Sequence, residues 1–391
     1  MSRYLFVVPP LTGHTLPTIA VGRELTDRGH DVAWVGHADV IGPLLPADAR
    51  LIDVGGQGAE TMAEIQARSL GLRGAAAFRF LWEDFLIPLA TAMVPGVDAA
   101  VEKFRPDALV VDQQALAGAL VARRRLLPWA TSATTSAELT DPFALMPKLA
   151  DWATFCLLEF QRAFGVPDAE ARRGDLRFSD HLVIAFTTEA LVGSVESFGD
   201  QYAFVGPSIG ARRAAADFPF EWLDIGRRLV LVSLGTVSRD IGERFFRTVV
   251  EAVAPLGEQL QVVLVAPPEL VPDLPAHVLV REFVPQLDLI AQADAVVSHA
   301  GHNTVCESLA HGVPLVVAPI RDDQPIIAQQ VVDAGAGVRV RYGRVAPAEL
   351  RAALADVLDN RDYRTAARRV GASFAAAGGA ATAADRLEKL T

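Results

Sequence analysis

The residues best suited to chemistry lie in segment 297–330, VSHAGHNTVCESLAHGVPLVVAPIRDDQPIIAQQ. An apolar strand ends there, the chain turns through Gly301, and a helix opens at Asn303 or Thr304. Backbone N–H groups and the positive end of the helix dipole therefore converge on one spot, which makes it an anion site. His299 adds an imidazole donor, and Asn303 and Thr304 add short polar side chains, a set that suits a diphosphate. Glu307 falls on the same helix face, where its carboxylate can accept both hydroxyls of a ribose. Taken singly, these residues have plainer readings: Asn303 as a helix cap, Thr304 with Glu307 as a capping box, Gly301 as a turn. Those readings leave His299 and the Asp322-Asp323-Gln324 cluster unaccounted for.

A second group stands in the first half of the chain. His14 follows an apolar run at 4–8, in the loop before the first helix, and an imidazole titrating near neutral pH can take a proton from a hydroxyl. Asp112 closes another apolar run, 108–111, and is placed either to hold that imidazole or to serve as a loop or N-cap aspartate.

The elements that must position these groups are legible as alternating strand and helix. Runs 4–8, 108–111, 229–232, 262–265, 295–297 and 315–318 are rich in Val, Leu and Ala without polar alternation, as in parallel strands covered on both faces. Helical patterns fall at 17–28, 243–253, 324–334 and 347–358, with Gly29 and Gly312 as stops. The architecture expected is α/β and doubly wound. With 391 residues, two such domains are expected: 1–207, a linker at 208–228, and 229–391, the last helix of which is left free to pack back on the first domain. Ligands of such folds sit at the carboxyl ends of the strands, so two facing domains would define a cleft.

Composition narrows the function. The net charge is −11, which argues against nucleic acid as a partner. Hydrophobic residues make up 51% and charged ones 21%, and no run of about 18 uninterrupted apolar residues appears, so a soluble, cytoplasmic protein without a transmembrane segment is expected. Cys156 and Cys306 lack the spacing of a disulfide or zinc site. Segments 59–104 and 141–164 hold Phe78, Phe80, Trp82, Phe85, Phe143, Met146, Trp152, Phe155 and Phe160; they read as a candidate greasy acceptor pocket or, residue by residue, as ordinary helix packing.

The stretch HAGHNTVCES, followed by GVP and DDQ, resembles the donor-binding signature of family 1 glycosyltransferases of the GT-B fold. The likeness extends to FVPQ at 283–286, SLGT at 233–236, GH at 13–14 and VVDQ at 110–113, and so covers nearly the whole chain. It implies two Rossmann-like domains, an acceptor domain and a nucleotide-sugar domain. It also implies nucleotide or diphosphate contacts from Ser233, Gly235, Thr236, Phe283, the Val284 backbone, Gln286, His299, Gly301, Asn303, Thr304 and Glu307. Asp323 and Gln324 would take the sugar hydroxyls, His14 would be the general base and Asp112 its orienting partner. The plant pattern has Trp where this chain has Phe283 and His302, which leaves uridine and thymidine both open as the base; Phe283 can stack on either.

The implied reaction is a single displacement with inversion, from a UDP- or dTDP-hexose to a hydroxyl of a hydrophobic acceptor such as a polyketide or other secondary metabolite; a carotenoid is an alternative. No cofactor and no essential metal are expected, because Asp322-Asp323 is assigned to the sugar. A homodimer is left open. The rival readings are a GT-B nucleotide-sugar epimerase, a degenerate nucleotide-sugar-binding partner protein, and a dinucleotide oxidoreductase, which would need a GxGxxG loop that residues 9–14 do not provide.

Overall fold

The structure, a computed structural model, describes residues 1–56, 58–69, 71–72, 74–139, 147–210, 217–235 and 242–391. The chain divides into two compact units: Met1–Phe186, Val195–Arg213 and Ala377–Thr391 form the first, and Thr187–Ser194 and Ala214–Ala376 the second. The backbone thus passes between units four times, and the crossing after Arg213 falls inside segment 208–228.

Unit 1 is built on a seven-stranded sheet of β1 (Arg3–Val7), β2 (Asp31–Gly36), β3 (Arg50–Asp53), β4 (Ala108–Asp112), β5 (Trp129–Ala133), β6 (Leu182–Ala185) and β7 (Tyr202–Phe204). All neighbours are parallel, in the order β3-β2-β1-β4-β5-β6-β7. Successive residues of β1 feed opposite cores. Leu5 and Val7 join one apolar cluster with Met93, Val97 and Leu120, while Tyr4 and Phe6 join another with Val21, Leu25 and Ile184. This is why the strand reads apolar at every position: with helices on both sheet faces, neither face is wet.

The segment Ala75–Phe104 is helical throughout, with a π-helical turn at Leu81–Leu86. Among the described residues it is the one helix long and apolar enough to cross a membrane. Half of its most apolar window is buried, and Trp82, Phe85, Leu89, Met93 and Val97 belong to the core of unit 1, so it packs as a core helix. Trp82, Phe85 and Phe160 are therefore core residues, Phe78 and Trp152 pack partly buried against them, and Phe155 is exposed; residues 143 and 146 lie outside the described residues.

The last helix, Gly379–Glu388, belongs to unit 1 and packs on the helix Thr12–Asp27. Gly378 and Gly379, both with positive φ, turn the chain into it, and the Gly379 N–H donates to the Val205 carbonyl at 2.7 Å. Arg28 then donates to Asp385 and Glu388, and the Tyr4 hydroxyl to the Leu387 carbonyl.

Unit 2 carries six parallel strands, β8 (Arg228–Ser233), β9 (Leu260–Val265), β10 (Val278–Arg281), β11 (Ala295–Ser298), β12 (Leu315–Val317) and β13 (Gly337–Arg339), in the order β10-β9-β8-β11-β12-β13. Its core gathers Val230, Val232, Phe245, Phe246, Val262, Leu264, Val297, Leu350 and Leu354. Both sheets follow the doubly wound order in which the first strand lies beside the fourth, so each has its topological switch point between those two strands.

Candidate functional site

In unit 1 the switch point lies between β1 and β4, and the two predicted catalytic residues stand at the carboxyl ends of these strands. His14 is on the first turn of the helix Thr12–Asp27 and not, as expected, in the loop before it. The helix starts earlier than the sequence indicates because Pro17, which looks like a helix opener, is tolerated within its second turn. Only one backbone N–H is missing there, and the Thr15 hydroxyl donates to the Leu11 carbonyl at 3.0 Å to hold the first turn. Asp112 is the last residue of β4, and its side chain is wholly buried.

The two side chains meet. His14 Nδ1 lies 2.9 Å from Asp112 Oδ1 and 3.0 Å from Oδ2. The Gln114 backbone N–H donates to Oδ1 at 2.8 Å, and the Thr134 hydroxyl donates to Oδ2 at 2.7 Å. Thr134 Oγ1 is also 2.8 Å from His14 Nδ1. A carboxylate only accepts, so this geometry places the ring proton on Nδ1 and makes Nε2 the basic nitrogen. The His14 side chain is 16% exposed.

Thr134 was not singled out by the sequence. It follows β5, whose polar letters WATSA conceal a buried strand; Thr131 and Ser132 are buried, and the Thr131 hydroxyl donates to the Arg177 carbonyl. The one available signal was the hydroxyl-rich stretch TSATTS at 131–136, at about the place where a strand is due.

Further out, Arg177 joins Glu138 at 3.0 Å and lies 5.5 Å above the Trp82 ring. Burial holds the Glu138 carboxyl above its usual range, against a smaller opposing pull from Arg177.

In unit 2 the switch point lies between β8 and β11. The loop after β8 contains Gly235, whose N–H donates to the Ser233 hydroxyl at 3.3 Å; Thr236 lies outside the described residues. The loop after β11 carries His299, then Ala300 with φ of 70°, then Gly301. A Cβ on Gly235 would come within 2.6 Å of His299 Cε1, and one on Gly301 within 2.6 Å of Nε2. Both glycines are therefore needed for the imidazole to stand where it does. Burial pushes the His299 ring down to about 4 against a smaller opposing pull from Asp323, so the ring is neutral near pH 7.

The helix after Gly301 is His302–Ala310, opening one residue before the earliest start expected. Gly301 is its N-cap and no side chain caps it, so Asn303 and Thr304 sit inside the first turn and the capping readings fall away. Glu307 is buried and accepts from Gln286 Nε2 at 2.6 Å; the same amide lies 3.5 Å from Thr304 Oγ1. Gln286 opens the short helix Gln286–Ile290, and just before it Phe283 is 58% exposed, unusual for so large an apolar ring, with Val284 beside it.

Gln324 is buried, and its Oε1 accepts from the backbone N–H groups of Ile320 and Arg321, which fixes the loop after β12. Asp323 stands at the N-cap of Gln324–Asp333 without capping it. Among the described residues, unit 2 thus gathers those predicted for the donor at the carboxyl ends of its strands, as unit 1 does His14 and Asp112.

Two doubly wound units of this kind serve many chemistries, and comparison with known proteins gives the class. Residues 248–390 match the family described as erythromycin biosynthesis protein CIII-like, C-terminal domain. The chain is 30% identical to 4'-demethylrebeccamycin synthase of Lentzea aerocolonigenes, over 100% of this chain and 99% of that protein. It is 28% identical to demethyllactenocin mycarosyltransferase of Streptomyces fradiae, over 100% of this chain and 87% of that protein. Among solved structures, the glycotransferase of kitacinnamycin superposes with a TM-score of 0.80 at 26% identity, covering 100% of this chain and 99% of that one. The chain belongs to the family 1 glycosyltransferases of the GT-B fold. Within that family it is an enzyme of the natural-product type.

Proposed function

We propose that this glycosyltransferase moves a hexose, with inversion and without a metal ion or other cofactor, from a uridine or thymidine diphosphate sugar to a hydroxyl of a hydrophobic small molecule in the cytoplasm. The acceptor we propose is a polyketide or other secondary metabolite, a reading supported by the likeness to 4'-demethylrebeccamycin synthase and demethyllactenocin mycarosyltransferase. The observation that carries the reading is the 2.9 Å contact between His14 Nδ1 and Asp112.

With its Nδ1 proton held by the carboxylate, His14 takes the acceptor's hydroxyl proton on Nε2. The freed oxygen bonds to the anomeric carbon, and the bond from that carbon to the diphosphate oxygen breaks, its electron pair leaving with the nucleoside diphosphate. Attack from the side opposite the leaving group inverts the configuration. Asp112 stabilises the imidazolium formed. The N-terminus of the helix His302–Ala310, with His299, Asn303 and Thr304, takes up the charge of the leaving diphosphate. Phe283 stacks on the base, Glu307 held by Gln286 accepts from the ribose, and Asp323 with Gln324 takes the sugar hydroxyls.

The test is incubation with UDP- and dTDP-hexoses and a panel of hydrophobic alcohols, with the anomeric configuration read by NMR. An α-linked donor should give a β-linked product. A retained configuration would overturn the mechanism, and epimerised donor without transfer would favour the epimerase reading.

A further inference from the structure

We infer that Thr134 is a positioning residue of the catalytic base, acting through Asp112 to hold His14 in the tautomer that leaves Nε2 basic. This rests on the base role of His14 proposed above. Thr134 is 3% exposed and follows β5, the strand beside β4, so the sheet itself brings its hydroxyl alongside Asp112. The hydroxyl has one proton, and the contact of 2.7 Å to Asp112 Oδ2 uses it. Its oxygen then faces His14 Nδ1, at 2.8 Å, as an acceptor only. Asp112 Oδ1 is already fixed by the Gln114 N–H. Each of these acceptors therefore favours a proton on Nδ1, and the alternative tautomer would set the Nδ1 lone pair against three oxygens. Without the hydroxyl, buried Oδ2 loses a donor, and the carboxylate and ring are both freer to turn.

The consequence differs from that of a merely structural threonine. Loss of the hydroxyl should relax the tautomer of one ring and slow only reactions that need a base. The experiment is ¹⁵N NMR of the histidine rings in the whole protein, the His14 signals being assigned by their loss in His14→Asn. In the unaltered protein His14 should be predominantly protonated on Nδ1. In Thr134→Val the ratio of Nδ1–H to Nε2–H forms should fall by about tenfold, as expected for the loss of one hydrogen bond to a charged group. Thr134→Ser should recover most of that change. Should valine perturb folding, as judged by the remaining histidine signals, Thr134→Ala carries the same expectation without added bulk. Transfer to an aliphatic alcohol should slow by a similar factor, while transfer to an acidic nitrophenol should slow much less.

An unaltered tautomer ratio in both Thr134→Val and Thr134→Ala would overturn the inference. So would a serine variant as perturbed as valine, or equal slowing with both acceptors. The outcome is separable from the fate of the base reading, since near-native transfer to an aliphatic alcohol by His14→Ala would remove that reading even if the tautomer shift were found.

Discussion

The two units carry the same strand order and place a histidine at the same switch point, yet the two rings live in opposite environments. In unit 1 the ring follows the first strand and an acid ends the fourth; His14 is bound to a buried carboxylate and to the Thr134 hydroxyl oxygen. In unit 2 a glycine follows the first strand and the ring follows the fourth; His299 is pressed between two glycines and pushed down to about 4 by burial. A carboxylate partner stabilises an imidazolium, whereas desolvation penalises it. In the proposed mechanism one scaffold thus holds a ring that gains a proton and a ring that stays neutral as a hydrogen-bond donor. The difference lies in the side chains around each ring and not in the fold.

The sharpest way to break this contrast is His14→Ala, which removes the proton acceptor but no donor-site residue. Transfer to an aliphatic alcohol should fall by about 10² to 10⁴, while donor affinity changes no more than a few-fold. Asp112→Asn should act in the same direction and less severely, because the base remains and only its orientation and charge stabilisation suffer. Steady-state rates with calorimetric donor affinities check both, and near-native turnover of His14→Ala would remove the base from unit 1.

On the other side, His299→Ala and Gly301→Ala should weaken donor binding with little effect on the acceptor. The first deletes the ring; the second places a methyl group 2.6 Å from its Nε2 and must displace it. A loss of about ten- to a hundredfold in nucleoside diphosphate affinity is expected, the usual effect of one charge-assisted hydrogen bond. Calorimetry with UDP and with dTDP measures it, and unchanged affinity for both in both variants would leave His299 without a role at the diphosphate.

How much of this was legible in the letters follows from what each strand buries. Strands β1, β4, β8, β9, β11 and β12 are covered on both faces by aliphatic packing, so they stand out as apolar runs, and His14, Asp112 and His299 were found because they end such runs or closely follow them. Strand β5 buries Thr131 and Ser132, the Thr131 hydroxyl donating to the Arg177 carbonyl and accepting from the Ser179 N–H, and it gave no apolar signal. Thr134, beyond its end, was missed with it. The early start of the first helix was hidden by Pro17, and the placement of the last helix in unit 1 depends on contacts to residues more than 350 positions away, such as Arg28 with Asp385. Local pattern cannot report a partner that distant.

The low value of His299 also has a consequence for stability, with a definite sign. Above pH 6.5 the ring is neutral both folded and unfolded and contributes nothing. As the pH falls below 6.5, the unfolded ring takes up a proton that the folded one refuses, so stability is lost until about pH 4, where the folded ring protonates too. The loss is at most about 3.5 kcal/mol, at roughly 1.4 kcal/mol for each unit between 6.5 and about 4. Thermal unfolding followed between pH 7 and pH 4 should show it, and His299→Gln should flatten the profile in that window. An unchanged profile would mean that the ring is better hydrated than its surroundings indicate.

The smallest effect is expected from metal removal, and it tests whether unit 2 stabilises the diphosphate with neutral donors as the comparison requires. A hard divalent ion would be held by carboxylates and would bridge the phosphate oxygens. The only adjacent acids after β12 are Asp322 and Asp323, and the second begins a helix whose next residue, Gln324, is tied to the backbone of the same loop. In the proposed site these groups face the sugar, and the charge of the leaving group falls on His299 and the N-terminus of His302–Ala310. Initial rates of transfer should therefore be the same within a few-fold after exhaustive chelation and after addition of Mg²⁺. A dependence steeper than about tenfold would reassign Asp322 and Asp323 from the sugar to an ion. It would also mean that the anion-binding helix and a neutral histidine do not suffice, and that the contrast between the two rings is not what divides the work between the units.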